Sequence, residues 1–265
     1  MPVLPTNLRK QLESVCVEAR DVAEAGARSA LQKQAVDQSE PFGHFTDSGK
    51  ALRNRLRARG RQVGDVRAPN KTQSIEGLTH ELAYEYWHRM LFARFLTENY
   101  LLMHPDGVAI SLEDCEELAR DEGAPNGLAL ASRYASRMLP EIFRTDDVLL
   151  EVEFAPEHRL ALEKLLASLP GEIFRADDSL GWVYQFWQTK RKEQVNKSGD
   201  KINGRTLPAV TQLFTEHYMV EFLLHNTIGA WWCAQNGIQG PPGGAAVLAV
   251  QAPVPLDYLR WRDEG

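Results

Sequence analysis

Two groups of side chains in this 265-residue sequence have the types and spacing to do chemistry. The first is Thr211-Gln212-Leu213-Phe214-Thr215, which runs directly into an apolar helical pattern. A threonine at a helix mouth sets a hydroxyl beside backbone N–H groups that no carbonyl of the helix can reach, and together these suit a carboxylate or a phosphate. The competing reading is a plain N-cap, in which Thr215 only satisfies its own helix. The second group is the run of arginines at every second position, Arg53, Arg55, Arg57, Arg59 and Arg61. Each is a planar fork of donors matched to phosphate oxygens. Successive members step by about 200° around a helix, so they cannot share one face and make either a broad basic surface or an extended arm. Against this stands a solvated helix whose charge is neutralised by acidic neighbours.

Other chemistries find little support. Cys16, Cys115 and Cys233 lie far apart, with no C-x-x-C and no histidines at zinc spacing, so neither a disulfide framework nor a metal site is indicated. His80-Glu81 is not H-E-x-x-H, because Tyr84 stands four places after His80. Six acids between Glu113 and Glu122 follow helical spacing without the oxygen-rich pattern of a calcium loop, which makes them a solvated face. His88, Arg89 and Arg94, set in an otherwise apolar helix, have two readings, buried ligand contacts or structural polar groups with partners in the fold, and the second is the expectation.

The elements that must position these groups read as helices. Asn7 is expected to cap a helix to about Gln34; QSEPFGHFTDSG, 38–49, is a loop. Residues 50–71 hold eight basic residues against Asp65, a balance of +7 in a chain whose net charge is −6, so about −13 falls on the rest. An acidic total argues against a uniformly basic nucleic-acid binder but leaves room for this local patch. A helix apolar almost all round follows, from Ser74 or Gly77 to His104, as expected of a central core helix. Ser111 and Asp114 form a capping-box pattern, Leu128–Leu139 reads as a helix stopped by Pro140, and Pro156–Leu169 as another with proline in its first turn. LLEVEF, 149–154, is the sole short strand candidate. Asp177 or Asp178 is expected to cap an aromatic helix carrying Trp182 and Trp187, and a final helix runs from about Glu216 to Trp231. The fold class is therefore mainly α. No signal peptide or membrane span is evident, and the chain is expected to be cytoplasmic.

The segment from Leu180 to Trp232, LGWVYQFWQTKRKEQVNKSGDKINGRTLPAVTQLFTEHYMVEFLLHNTIGAWW, resembles the stretch just ahead of the catalytic domain in PglX-like adenine-specific DNA methyltransferases, the large single-chain enzymes of BREX, DISARM and related restriction-modification phage-defence systems. ALRNRLRARGRQVGD, ELAYEYWHRMLFARFLTENYLL, SLEDCEELA and MLPEIF resemble the same family's N-terminal helical region, so the likeness covers most of residues 50–232. In such enzymes a Phe-Thr-Pro element lines the S-adenosylmethionine site. Phe214 and Thr215 match it, Gln212 falls in the preceding Ala-Thr-Gln-Leu/Phe pattern, and Glu216 stands where proline is usual.

The resemblance implies methyl transfer from S-adenosylmethionine to adenine in duplex DNA, with Gln212, Phe214 and Thr215 on the cofactor side and Arg53, Arg55, Arg57, Arg59 and Arg61 on the DNA backbone. Defence-system subunits are further partners it implies. It divides the chain into an N-terminal helix and loop (1–49), a helical domain with the basic run (50–175), a helical linker carrying the Phe-Thr element (176–235) and the start of an α/β catalytic domain (236–265). The Gly-rich cofactor loop and the Asn-Pro-Pro-Tyr-like tetrapeptide do not occur in these residues, and GPPG at 240–243, lacking the amide and the aromatic, reads as a loop. No catalytic residue is therefore assigned, and the chain alone is expected to be inactive. Two rival readings remain: a freestanding helical DNA-binding or interaction module, and a helical protein whose arginines only balance its acids.

Overall fold

The computed structural model describes residues 4–199, 201–204, 206–211, 215–238 and 255–260. The chain is mainly helical, as the sequence indicates; among the described residues β structure amounts to two isolated antiparallel bridges, Arg67–Gln73 and Met103–Ala109. LLEVEF is no strand: Val148–Glu151 forms a 3-10 turn, opened by the Asp147 carboxylate accepting the Leu149 N–H. No helix of the described residues is long and apolar enough to cross a membrane. The chain divides into two compact units, residues 1–194 and 195–265.

In the first unit α1 (Thr6–Lys33) starts one residue before the expected Asn7, after Pro5, which needs no N–H at that position. Its buried stripe, Leu12, Cys16, Ala19, Ala23, Ala27 and Leu31, is rich in small residues, and a methyl group on Gly26 would lie 2.8 Å from the Phe154 ring. α2 (Asp47–Gln62) is capped by the Thr46 hydroxyl. α3 (Glu76–Glu98) is the central element, packing on α1, α2, α4 (Leu112–Ala119), α5 (Gly127–Met138), α7 (Pro156–Ala167) and α8 (Gly171–Phe174). That many neighbours explains why its apolar residues lack a single stripe. The Ser111–Asp114 capping box forms as expected. α5 is followed by the short α6 (Pro140–Phe143), and a second core cluster gathers Leu96, Leu102, Cys115, Leu130, Tyr134 and Phe143.

α3 ends six residues before the expected His104. Tyr100 takes a left-handed conformation (φ 55°), its N–H reaching the Thr97 carbonyl at 3.1 Å and that of Leu101 the Leu96 carbonyl at 2.8 Å. This is the Schellman termination, normally built on glycine. α1 stops the same way on Ala35 (φ 51°), and α2 on Gly64 (φ 101°). Only the glycine is visible in a sequence.

Asp178 stands at the head of α9 (Ser179–Trp187) but makes no side-chain cap to it. Its carboxylate instead accepts the Leu4 backbone N–H and the Trp182 indole N–H, both at 2.8 Å, tying the chain start to the buried aromatic helix. Trp182, Phe186 and Trp187 are buried.

α10 (Thr189–Ser198) begins in the first unit and ends in the second. The second unit contains α11 (Leu207–Val210), α12 (His217–Leu224), a π turn over His225–Gly229, and α13 (Ala230–Gln235). The π turn holds the segment 255–260. Asn226 donates to the Tyr258 carbonyl at 2.7 Å and accepts the Arg260 N–H at 2.8 Å, while His225 Nδ1 accepts the Tyr258 N–H at 3.1 Å. The GPPG loop and most of the expected start of a catalytic domain, 236–265, lie outside the described residues.

Candidate functional site

The basic run is a helix and a following loop, and burial sorts its arginines. Arg53 and Arg57, one turn apart, are 4% and 6% exposed and face the turn that ends α1. Arg53 Nε donates to the Ala35 carbonyl at 2.8 Å and Nη2 to that of Gln38 at 2.6 Å. Arg57 Nη1 reaches the carbonyls of Val36 and Gln38, both at 2.6 Å, and Nη2 that of Lys71 at 2.7 Å. A turn buried after a helix leaves carbonyls without N–H partners, and two rigid forks satisfy them. Burial lowers the affinity of both guanidinium groups for their protons, and at Arg57 the charges of Arg53, Arg67 and Arg61 add to it. Neither group reaches solvent phosphates in this arrangement.

The other arginines face outward. Arg59 forms a two-pronged pair with Glu81, Nε to Oε2 at 3.0 Å and Nη2 to Oε1, and these bonds raise its proton affinity. Arg55 pairs with Glu151 at 2.5 Å with both side chains half exposed. Arg61 is exposed and donates to Gln73 at 3.2 Å. Arg67, beyond the alternating run, is exposed on the loop. Arg61 and Arg67 make no ion pair among the described residues, so they are the least neutralised charges of the segment. Alternation in the sequence does not separate these classes: a 100° rotation per residue sends Arg53, Arg57 and Arg61 to one side and Arg55 and Arg59 to the other, and Arg61 is exposed because it lies in the last turn of the helix.

Asp65, the one acid in the run, is buried. Its Oδ1 accepts the Gly77 N–H at 2.8 Å and its Oδ2 the Leu78 N–H at 3.1 Å. It thus caps α3 from outside the helix, where the N-cap residue Ile75 has no side-chain acceptor.

At the second candidate group, Gln212 and Phe214 lie outside the described residues. Thr215 is exposed, directly ahead of α12. The N-cap is Glu216, extended at φ −60° and ψ 144°, and not Thr215; Glu216 makes no side-chain bond to the first turn. The reading of Thr215 as a plain N-cap is corrected accordingly: the chain enters the helical conformation one residue later.

Arg94 meets the expectation of a satisfied polar group, donating to the carbonyls of Leu166 and, at 2.8 Å, Leu169 at the end of α7. His88 is stacked between Tyr84 and Phe92, with burial and then the Arg89 charge lowering its proton affinity. Arg89 does not meet that expectation. Its Nε is buried with no hydrogen-bond partner, a feature that nothing in the local sequence signals.

No family model matches the chain. Two curated proteins align with most of it. The adenine-specific methyltransferase PglX of Lacticaseibacillus casei (strain Zhang) is 23% identical over 270 residues, covering 85% of this chain and 22% of that protein. The adenine-specific methyltransferase BrxX of Escherichia coli O9:H4 (strain HS) is 24% identical over 242 residues, covering 78% and 19%. The chain thus spans about a fifth of the length of the curated relatives it matches.

Proposed function

We propose, for a chain that is PglX-like over most of its length, that it serves as the N-terminal helical region of an adenine-specific DNA methyltransferase of a BREX- or DISARM-type phage-defence system. The observation that carries this reading is the long co-linear match, which runs through the basic segment and the Phe-Thr element alike. The reaction of the whole enzyme is methyl transfer to the exocyclic amine of adenine in duplex DNA.

Within that reading the solvent-facing Arg55, Arg61 and Arg67, with Lys50 and Lys71 at the edges, contact DNA phosphates. Arg53 and Arg57 support them by holding the turn beneath α2. Phosphate contacts position a duplex without reading its bases, which suits a surface of separate forks on a rigid helix. The exposed apolar residues Leu223, Ile228 and Trp231 of the second unit fit a helix that packs on further protein.

S-adenosylmethionine, bound elsewhere in such an enzyme by a Gly-rich loop, supplies the methyl group. An exposed Thr215 hydroxyl ahead of a helix mouth with no side-chain cap fits the methionine carboxylate, and Gln212 and Phe214 would complete that wall. The Glu216 carboxylate opposes a second negative charge at the same mouth, so its contribution to cofactor affinity is unfavourable. Since residues 1–265 hold neither catalytic motif, no methyl transfer is expected from this chain alone.

Duplex binding tests the reading. Affinity should fall steeply with salt, and Arg55→Gln/Arg61→Gln/Arg67→Gln should lower the magnitude of the log–log slope by about 2–3. Duplex binding that is absent, or whose slope the triple variant leaves unchanged, returns α2 to a purely structural role.

A further inference from the structure

Buried arginines in the first unit follow one rule, from which the half-buried Arg89 departs. Arg20 donates to the Trp187 carbonyl at the end of α9, Arg53 and Arg57 to the turn after α1, and Arg94 to the end of α7. Each fork satisfies helix-terminal carbonyls. Arg89, on the middle of α3, has no hydrogen bond or ion pair among the described residues, and its Nε is shut off from solvent. The nearest carboxylates are committed elsewhere: Arg144 takes Asp147 at 2.7 Å and Glu85 at 3.7 Å.

Arg89 opens on a cleft in two adjoining lobes of about 390 Å³ and about 240 Å³, which share Tyr86, Arg89, Pro125, Ala129 and Arg159. Tyr86 is held against Phe154 by ring stacking, centroids 3.9 Å apart and planes within 7°. Arg159 spends one donor on Glu163 at 3.1 Å, which leaves the rest of its fork for another acceptor. The larger lobe is also lined by the apolar Leu82, Leu149, Leu150 and Val152 and by the carboxylates of Glu85 and Glu153.

We propose that this cleft binds a small organic anion, a carboxylate or phosphate monoester on an apolar or aromatic body, with the oxyanion on Arg89 and Arg159 and the body against Leu150, Val152 and Phe154. An oxyanion gives the cleft-facing end of the Arg89 fork, which donates to no described residue, a partner whose geometry a guanidinium matches. Glu85, Glu153 and Glu163 also line the cleft beside the two guanidinium groups, so an extended polyanion such as a DNA backbone is disfavoured there. The site is independent of the DNA-contacting reading of α2.

Calorimetric titration of the full chain with phenyl phosphate, benzoate and inorganic phosphate tests this. One of the aryl anions should bind saturably and more tightly than inorganic phosphate, with backbone amide NMR shifts centred on Ala129, Leu150 and Val152. A preference for phenyl phosphate assigns the ligand as a phosphate monoester, and one for benzoate as a carboxylate. Arg89→Gln should lose about tenfold or more in affinity. Arg89→Met, without ligand, should unfold in urea close to the parent, because Arg89 makes no hydrogen bond or ion pair among the described residues. No saturable binding of either aryl anion, shifts centred elsewhere, equal affinity in Arg89→Gln, or a marked destabilisation by Arg89→Met would each overturn the proposal. Perturbation of the same amides by duplex DNA in place of the aryl anions would overturn it as well.

Discussion

Asp65 accepts the backbone N–H of Gly77 at 2.8 Å across the loop that joins α2 to α3. With its second oxygen on the Leu78 N–H at 3.1 Å, one carboxylate supplies the central helix with the cap that its own N-terminal residues lack. A methyl group on Gly77 would meet the Val63 carbonyl at 2.9 Å, so the close approach depends on glycine. Asp65→Ala leaves two buried donors unsatisfied and should cost about 2–3 kcal/mol in urea unfolding followed by circular dichroism. Asp65→Asn, keeping one acceptor and placing an N–H₂ against the other donor, should recover less than half of that loss.

The sorting of the basic run yields a contrast within a single helix. Arg57→Gln strips donors from the carbonyls of Val36, Gln38 and Lys71 and should destabilise the fold by about 2–3 kcal/mol. Arg55→Gln, which breaks only a half-exposed pair with Glu151, should stay within about 1 kcal/mol of the parent. Equal losses in chemical denaturation would contradict the assignment of Arg57 to the interior.

Glu24 predicts part of the acid sensitivity. Burial alone would raise its carboxyl, but the hydrogen bond to His80 and the charge and hydrogen bond of Arg20 overcome this and hold it at about 2, against 4.5 for the free group. A carboxyl depressed in the folded state contributes stability above its unfolded pKa and loses it as pH falls through the folded one. The contribution should therefore be complete above about 4.5 and fade toward about 2. In Glu24→Gln, thermal stability at neutral pH should drop and its decline across that acid window should become shallower than in the parent.

Asn226 should act as a latch for residues 255–260. Asn226→Ala removes the acceptor of the Arg260 N–H and the donor to the Tyr258 carbonyl, so amide exchange at Arg260 should accelerate. Asn226→Asp keeps the acceptor and should preserve more of the protection. Unchanged exchange in the alanine variant would show that the segment is held by other means.

Helix existence was legible wherever the deciding partners are close in sequence. The Ser111–Asp114 box spans three residues and Pro156 opens α7 on its fixed backbone angle, whereas α2 begins at Asp47, inside the expected loop 38–49. The end of α3 was less legible, because it stops on left-handed Tyr100, a residue type that carries no such signal, whereas α1 ends at Lys33, beside the expected Gln34. Thr215 was misplaced by one residue for the same reason: Thr and Glu next to each other both permit the extended conformation that precedes a helix.

The partition of the charged residues lay beyond local pattern altogether. Residue pattern and composition indicate a mainly helical chain with a +7 segment on an acidic body, and the sequence is similar over most of its length to two adenine-specific methyltransferases. Both depend on residue types and order, which the primary structure states outright. That Arg57 serves Val36, that Asp65 caps α3, that Arg94 reaches across to Leu166 and that Arg89 is left facing a cleft are decided only by tertiary packing. These pairings join positions separated by 13 to 72 residues, and a guanidinium or carboxylate carries the same chemistry whichever carbonyl or N–H the fold brings within reach.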